Sequence, residues 1–238
     1  MSSRSLSILS ISLGCLLFAG CAQQSSASRD QVTTKAMQQA MQPAAVLADL
    51  KAGNERFVRG QSTPQNWLSQ AASTARDGQY PKAIVLSCLD SRVPPEVVFD
   101  QAIGDIFVGR VAGNFENVDL LGSMEFGTKL AGSRLIVVLG HNACGAVKGA
   151  IADAKLGNLT ATLDNIKPAV AAAHTAMPGA GKDDPAFVQR VAEENVRITV
   201  ADIQKRSPTI QELVAKGELM VVGAWYDLAT GKVHWLDS

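Results

Sequence analysis

Two short motifs in this sequence contain side chains that can bind a metal ion. The first runs from Cys88 to Arg92 and reads Cys-Leu-Asp-Ser-Arg, and the second runs from His141 to Gly145 and reads His-Asn-Ala-Cys-Gly. Two thiolates and one imidazole suit Zn²⁺, which takes sulfur and nitrogen ligands in tetrahedral geometry. Three protein ligands leave a fourth position open, as in catalytic zinc sites. The predicted ligands are therefore Cys88, His141 and Cys144.

Each motif follows a short apolar run that predicts a buried parallel strand. These runs cover residues 82–87 and 134–139. Ligand sites in open α/β sheets lie beyond the carboxyl ends of the strands, so we expect both motifs at one edge of one sheet. His141 and Cys144 are three residues apart at a predicted helix start, so both can face one point. Cys88 then approaches from the neighbouring strand.

The rest of the chain alternates helical and extended patterns. Helices are predicted for residues 43–59, 65–76, 119–130, 143–154 and 185–206, and further strands for residues 105–108, 219–226 and 232–236. A long helical region is also predicted after residue 154, with a break at residues 177–181. This order predicts an α/β fold with a mostly parallel central sheet flanked by helices. The last two strands, joined by residues 227–231, predict an antiparallel edge hairpin near the C-terminus.

The charge balance bears on the class of partner. Lys and Arg number 22, and Asp and Glu also number 22. Such a chain lacks the basic stripe that nucleic-acid binding requires, and its neutral surface suits a small-molecule substrate. With 238 residues, 47% of them hydrophobic, the chain can bury one sizeable core. We predict a single domain over residues 43–238.

The N-terminus resembles a bacterial export signal. Arg4 precedes an apolar run that ends at Phe18 and is too short to span a hydrocarbon core of ~30 Å. The following Ala-Gly-Cys resembles a lipobox, in which Cys21 is lipidated and becomes the mature N-terminus. An ordinary cleaved signal and an uncleaved anchor are the alternatives. The predicted organisation is a signal peptide at 1–20, then a lipidated N-terminus and flexible tether at 21–42.

Export predicts a periplasmic protein anchored to a membrane by lipid. In a Gram-negative host, the Ala22 that follows Cys21 predicts the outer membrane. An oxidising compartment also permits disulfides among the four cysteines. Cys15 leaves with the signal peptide and Cys21 carries lipid, so only Cys88 and Cys144 remain. The residues around these two favour a metal site over a disulfide.

The two motifs resemble the signature motifs of the β-carbonic anhydrases, and the resemblance covers most of the predicted domain. In that family the two Cys and the His bind one zinc ion per subunit, which implies the same role for Cys88, His141 and Cys144. The Asp and Arg of the first motif form a dyad beside the metal, here Asp90 and Arg92. The implied reaction is the reversible, zinc-dependent hydration of carbon dioxide to bicarbonate and a proton.

The resemblance also implies further roles. In some members the Asp leaves the Arg and becomes the fourth zinc ligand in a closed form. The resemblance implies that Asp90 can do the same. The plant-type branch has a Gln nine residues before the first zinc Cys, where Gln79 stands. Its pocket uses a Phe that matches Phe107 and a Tyr whose position is occupied by Phe126. The backbone N–H of Gly145 is the implied donor to a substrate oxygen.

The same resemblance implies that the protein assembles into an oligomer. Family pockets form at dimer interfaces, with the Gln from one subunit and the aromatic residues from the other. We therefore expect a homodimer or tetramer, in which Gln79 faces the aromatic pair of a second copy.

Two other functions remain open from the sequence. The same scaffold serves hydrolases of carbon disulfide or carbonyl sulfide, which differ in access to the metal. A non-enzymatic protein that stores zinc or exchanges disulfides is the other alternative. Such a protein does not require a dyad of Asp90 and Arg92, and the Cys-x-x-Cys pair of redox proteins is absent from this sequence.

Overall fold

A computed structural model describes residues 28–237. The predicted signal peptide, the predicted lipidation site Cys21 and the residues up to 27 lie outside the described residues. Among the helices of residues 28–237, none combines the length and the apolar character needed to cross a membrane. The strands are β1 Ala83–Cys88, β2 Ile106–Val111, β3 Leu135–His141, β4 Met220–Tyr226 and β5 Val233–Trp235. The helices are α1 Lys35–Ala40, α2 Pro43–Val58, α3 Trp67–Asp77, α4 Pro95–Val98, α5 Val118–Glu125, α6 Gly145–Ile151, α7 Gly157–Asp164, α8 Lys167–Ala176, α9 Pro185–Arg206 and α10 Pro208–Ala215.

The five strands form one sheet in the order β2-β1-β3-β4-β5. The first four strands are parallel, and β5 pairs antiparallel to β4 at one edge. The central strands β1 and β3 are buried along their whole length. This burial explains why their sequences are continuous apolar runs rather than alternating patterns. The predicted α/β fold with a parallel sheet and an antiparallel C-terminal edge is confirmed.

Helices cover both faces of the sheet. Side chains of β1 point alternately to the two faces. On one face Val85 packs with Leu50 of α2 in one hydrophobic cluster. On the other face Leu86 packs with Val196 and Ile203 of α9. The sheet is therefore rigidly held, and residues that follow its strands are well positioned for a site.

The helix predictions succeed where both ends carry a signal. Helix α9 matches the predicted 185–206, and its N-cap residue Asp184 accepts a hydrogen bond from the N–H of Ala186. The predicted helix 143–154 begins later, at Gly145, because Ala143 adopts a left-handed φ of 53°. The predicted helix 119–130 changes at Phe126 into a π-helical turn. Helices α1, α4 and α10 are not among the predicted elements.

The domain begins earlier than the predicted residue 43. Arg29 forms an ion pair of 2.9 Å with the buried Asp105. Thr33 donates to the same carboxylate through its N–H and its hydroxyl, at 2.9 and 2.6 Å. Gln38 of α1 is buried and donates to the carbonyls of Pro81 and Ala131. Residues 29–42, predicted as tether, therefore belong to the domain, because they supply partners for buried polar groups.

Candidate metal centre

The ends of two central strands bring three metal-binding side chains together. Strands β1 and β3 are parallel neighbours and end at Cys88 and His141, so both side chains lie at the same sheet edge. The chain then turns into α6, whose N-cap residue is Cys144. The sulfur atoms and an imidazole nitrogen of these three buried residues lie within 4.8 Å of one another. We call them the ligand cluster.

The ligand cluster fits a zinc ion. The Sγ atoms of Cys88 and Cys144 lie 3.8 Å apart, and both thiols are free. Two sulfur ligands at ~2.3 Å from a tetrahedral zinc are separated by about the same distance. Nδ1 of His141 lies 2.8 Å from the carbonyl oxygen of Asn142, while Nε2 is buried without a hydrogen-bond partner. The carbonyl places the proton on Nδ1 and leaves the Nε2 lone pair for a metal.

The two thiols do not ionise independently. Hydrogen bonds from the Cys144 thiol and from the N–H of Gly113 lower the pKa of Cys88 despite its burial. The pKa of Cys144 is raised because it is hydrogen-bonded to Cys88, is buried and lies beside the Cys88 thiolate. Two adjacent thiolates would therefore require a cation between them, which is the charge that a divalent metal carries.

A buried backbone N–H supports the first thiolate. Gly113 donates to Sγ of Cys88 at 3.4 Å, and its carbonyl accepts a 2.7 Å bond from the buried amide of Asn195. Gly113 has φ 90°, and a Cβ there would lie 2.4 Å from Ile166. Only glycine fits this position. Asn195 could not be predicted from the sequence, because its partner lies 82 residues away and no local pattern marks the contact.

Asp90 and Arg92 form a bidentate ion pair beside the ligand cluster. Nε of Arg92 lies 2.9 Å from Oδ1 of Asp90, and a terminal guanidinium nitrogen lies 2.7 Å from Oδ2. The backbone N–H of Arg92 adds a third bond to Oδ1 at 3.0 Å. Arg92 holds the pKa of Asp90 well below its usual range. Oδ2 of Asp90 also lies 3.8 Å from Nε2 of His141, so the carboxylate faces the cluster.

A second arginine fixes the backbone of the first motif. Nε of Arg110 donates to the carbonyl of Cys88 at 2.9 Å, and a terminal nitrogen donates to the carbonyl of Asp90 at 2.5 Å. Arg110 thus clamps the segment that carries one ligand and the dyad carboxylate. This role is not among the predictions from the sequence, although a charged residue within the apolar strand β2 is a usable signal.

The predicted aromatic residues contact each other. The rings of Phe107 and Phe126 lie 6.4 Å apart between centroids and are tilted by 60°. Phe126 opens the π-helical turn and is 55% exposed. A Cβ on Gly127 would lie 2.7 Å from the side chain of Ile84, so glycine lets this turn approach the sheet.

A single chain does not bring the whole predicted pocket together. Gln79 is exposed and precedes β1, whereas Cys88 ends that strand. Val111 pairs with Cys88, and Phe107 lies four residues earlier on β2, about 13 Å along the strand. Gly145, in contrast, is the first residue of α6 and directly follows the ligand cluster. Gln79 and the aromatic pair therefore lie away from the metal-binding end of their own subunit.

Comparison with known proteins identifies the family. The family model described as carbonic anhydrase matches residues 83–233, which include both motifs. The chain belongs to the carbonic anhydrase family. Among curated carbonic anhydrases, the Mycobacterium tuberculosis protein named carbonic anhydrase 2 is 37% identical over 196 residues, 80% of this chain and 91% of that protein. The Mycolicibacterium smegmatis carbonic anhydrase is 38% identical over 198 residues, 81% of this chain and 92% of that protein.

Solved structures place this carbonic anhydrase in the β class. A structure described as a tetrameric β-carbonic anhydrase from Sordaria macrospora is 27% identical, with a TM-score of 0.64 over 82% of this chain and 95% of that one. The Coccomyxa β-carbonic anhydrase in complex with acetazolamide is 26% identical, with a TM-score of 0.63 over 81% of this chain and 85% of that one. The protein is therefore an enzyme with the β-carbonic anhydrase fold.

Proposed function

We propose that this carbonic anhydrase holds one Zn²⁺ per subunit on Cys88, His141 and Cys144 and interconverts carbon dioxide and bicarbonate. The observation that carries the proposal is a buried cluster of two free thiols and an imidazole nitrogen without a hydrogen-bond partner. Zinc in such a site supplies a Lewis acid that makes water nucleophilic near neutral pH. The remaining chemistry is performed by the residues around the cluster.

Asp90 orients the attacking water. Its two oxygens already accept three hydrogen bonds from Arg92, and lone pairs remain for one O–H of water. Arg92 keeps the carboxylate ionised, so Asp90 accepts and does not donate. One lone pair of the water oxygen is then aimed away from Asp90, toward the carbon of carbon dioxide. The C–O bond that forms gives bicarbonate, and one proton leaves to solvent.

The dyad also controls access to the cluster. With Arg92 in contact, Asp90 stays outside the three-residue cluster. Loss of that contact frees Asp90 to become the fourth ligand, which is the closed form expected from the family. Gly145, next to the cluster, offers its backbone N–H to a substrate oxygen.

The active assembly is a dimer or tetramer with a plant-type pocket at the interface. Gln79 is exposed and lies far along the sheet from the cluster of its own subunit. Phe126 is 55% and Leu130 77% exposed, and both lie on the π-helical turn. An exposed apolar surface of this kind is typical of an interface. A second copy brings its Gln79 to Phe107 and Phe126, and the tetrameric relative from Sordaria macrospora supports this assembly.

The chain is exported and anchored by lipid. The support is the apolar run at the N-terminus and the Ala-Gly that precedes Cys21. The domain starts at about Arg29, so only a few residues separate Cys21 from the folded protein. This short connection holds the enzyme close to the membrane surface in the periplasm.

The test of this proposal is stopped-flow hydration of carbon dioxide by the purified protein, with zinc determined on the same sample. We expect rapid hydration and about one zinc per subunit. Carbonyl sulfide and carbon disulfide are supplied in parallel. Faster turnover of either sulfur gas than of carbon dioxide would reassign the substrate, and zinc without turnover of any of the three gases would overturn the enzymatic role.

A further inference from the structure

The imidazole of His141 is oriented by a backbone carbonyl rather than by a side chain. Nδ1 of His141 lies 2.8 Å from the carbonyl oxygen of Asn142. A histidine ligand needs such an acceptor to fix its tautomer and ring orientation. The direction of the Asn142 carbonyl therefore decides where Nε2 points, and whatever holds Asn142 acts on the metal site.

Asn142 is held by the turn between β4 and β5, about 85 residues further along the chain. Its side-chain amide donates to Oδ1 of Asp227 at 2.9 Å, and its side-chain oxygen accepts from the N–H of Leu228 at 3.0 Å. Its backbone N–H donates to the carbonyl of Tyr226 at 3.2 Å. Three hydrogen bonds thus fix one residue to one turn.

The turn itself is organised by Asp227. Oδ1 of Asp227 also accepts from the N–H of Ala229 at 2.9 Å, and Oδ2 accepts from the hydroxyl of Thr230 at 2.8 Å. These hydrogen bonds hold the pKa of Asp227 below its usual range, so the carboxylate is ionised and a strong acceptor. Asp227 is therefore a fixed point against which Asn142 is aligned.

The backbone after Asn142 needs such external support. Ala143 has φ 53°, a left-handed conformation that is unfavourable for a residue with a Cβ. Strained backbone of this kind persists only where surrounding contacts determine it. The peptide between Asn142 and Ala143 carries the carbonyl that faces His141. Without the contacts to the β4–β5 turn, this peptide is free to rotate and the imidazole loses its acceptor.

We propose that Asn142 and Asp227 are positioning residues for the zinc ligand His141. The β4–β5 turn aligns the Asn142 carbonyl, and that carbonyl aims Nε2 of His141 into the cluster. This inference rests on the proposed zinc binding. It assigns a role in metal affinity to a surface turn that supplies no ligand.

The test compares metal binding by variants of the full chain, stripped of metal and titrated with Zn²⁺ against a chromogenic chelator. Asn142→Ala should weaken zinc binding by about 10–100-fold, the usual effect of removing an outer partner of a metal ligand. Asp227→Ala should weaken it less, because Leu228 still donates to Asn142. Asp227→Asn should restore affinity, since its amide oxygen accepts the same bond. Lys232→Ala, at the exposed residue that ends the same turn, is the matched control and should bind zinc like the wild type.

A second readout separates positioning from folding. With Co²⁺ in place of zinc, the visible ligand-field bands of Asn142→Ala and Asp227→Ala should shift relative to wild type, whereas those of Lys232→Ala should not. If both alanine variants keep wild-type zinc affinity and cobalt spectra, with only a lower Tm of the metal-free protein, the contacts are structural and the inference is wrong. If Asn142→Ala does not fold, the zinc affinities of Asp227→Ala and Asp227→Asn decide whether the inference holds. A wild-type protein that binds no zinc overturns the proposed function as well.

Discussion

The Sγ atoms of Cys88 and Cys144 lie 3.8 Å apart, although the residues are 56 positions apart in the sequence. Parallel pairing of β1 with β3 creates this proximity, since one strand ends at Cys88 and the other leads into the turn before Cys144. A disulfide requires ~2.05 Å between the sulfur atoms. The observed separation matches that of two sulfur ligands on one tetrahedral zinc ion.

The metal site predicts a specific pattern of zinc loss. Cys88→Ser, His141→Ala and Cys144→Ser should each lose most of the bound zinc, because a tetrahedral site with two protein ligands binds weakly. The measurement is zinc per subunit after purification without added metal. His174→Ala is the control and should keep its zinc, because His174 is an exposed residue of α8 that packs against Phe187 of α9. Native protein that contains a Cys88–Cys144 disulfide and no zinc would contradict this account.

Glu116 predicts a measurable pH dependence of stability. Glu116 is buried and paired with Arg206, and burial raises its pKa above the ordinary value of 4.5. The folded protein therefore holds this proton more tightly than the unfolded chain does, so the free energy of unfolding falls as pH rises through that window. Glu116→Gln removes this slope. The Tm of the variant minus that of wild type should increase from about pH 4.5 upward and then level off.

The control for this measurement is Gln211→Ala, at an exposed position on α10 that carries no titratable group. Its difference in Tm from wild type should stay flat across the same range. A Glu116→Gln difference that declines as pH rises would mean that the ion pair with Arg206, rather than burial, dominates the energetics of Glu116.

If the exposed apolar surface around Phe126 and Leu130 is an interface, a charge placed on it should convert the oligomer into monomers. Phe126→Arg and Leu130→Arg place a cation on an exposed apolar surface that should be covered by a second copy. Both variants should run as monomers by light scattering and lose most of the hydration activity while the metal site stays intact. Leu156→Arg, at a residue that is 70% exposed before α7, should remain oligomeric and active. A fully active wild-type monomer would contradict the shared pocket.

Lipid anchoring predicts the effect of one substitution outside the described residues. Cys21→Ser removes the thiol that would receive the lipid, so the protein should leave the membrane fraction. Metabolic labelling with a fatty acid should mark the wild type and not the variant. A wild-type protein that is membrane-bound without label would indicate an uncleaved anchor, and a soluble, unlabelled one an ordinary cleaved signal.

The sequence was sufficient for the sheet and the ligand cluster. Residues 83–86 and 135–139 are apolar throughout because both strands are buried on both faces, and this burial gives a strong local signal. The rule that sites follow the carboxyl ends of parallel strands then brought Cys88, His141 and Cys144 together.

The outer contacts of the site could not be predicted in the same way. Asn195 reaches Gly113 across 82 residues, and Asn142 reaches Asp227 across 85. Such contacts depend on packing between distant segments and leave no periodic pattern. The start of the domain was missed for the same reason, since the partners of Arg29 and Gln38 lie at least 43 residues away in the sequence.

The most direct test of the catalytic account is carbon dioxide hydration by Asp90→Asn, with zinc determined on the same sample. Asp90 lies outside the ligand cluster, so zinc should stay at about one per subunit. The amide donates where the carboxylate only accepted, so the attacking water is misoriented and kcat/KM should fall by about 10²–10³. Asp153→Asn, at an exposed acid on the surface, is the control and should keep full activity. Near-normal hydration by zinc-loaded Asp90→Asn would contradict the central role of the dyad.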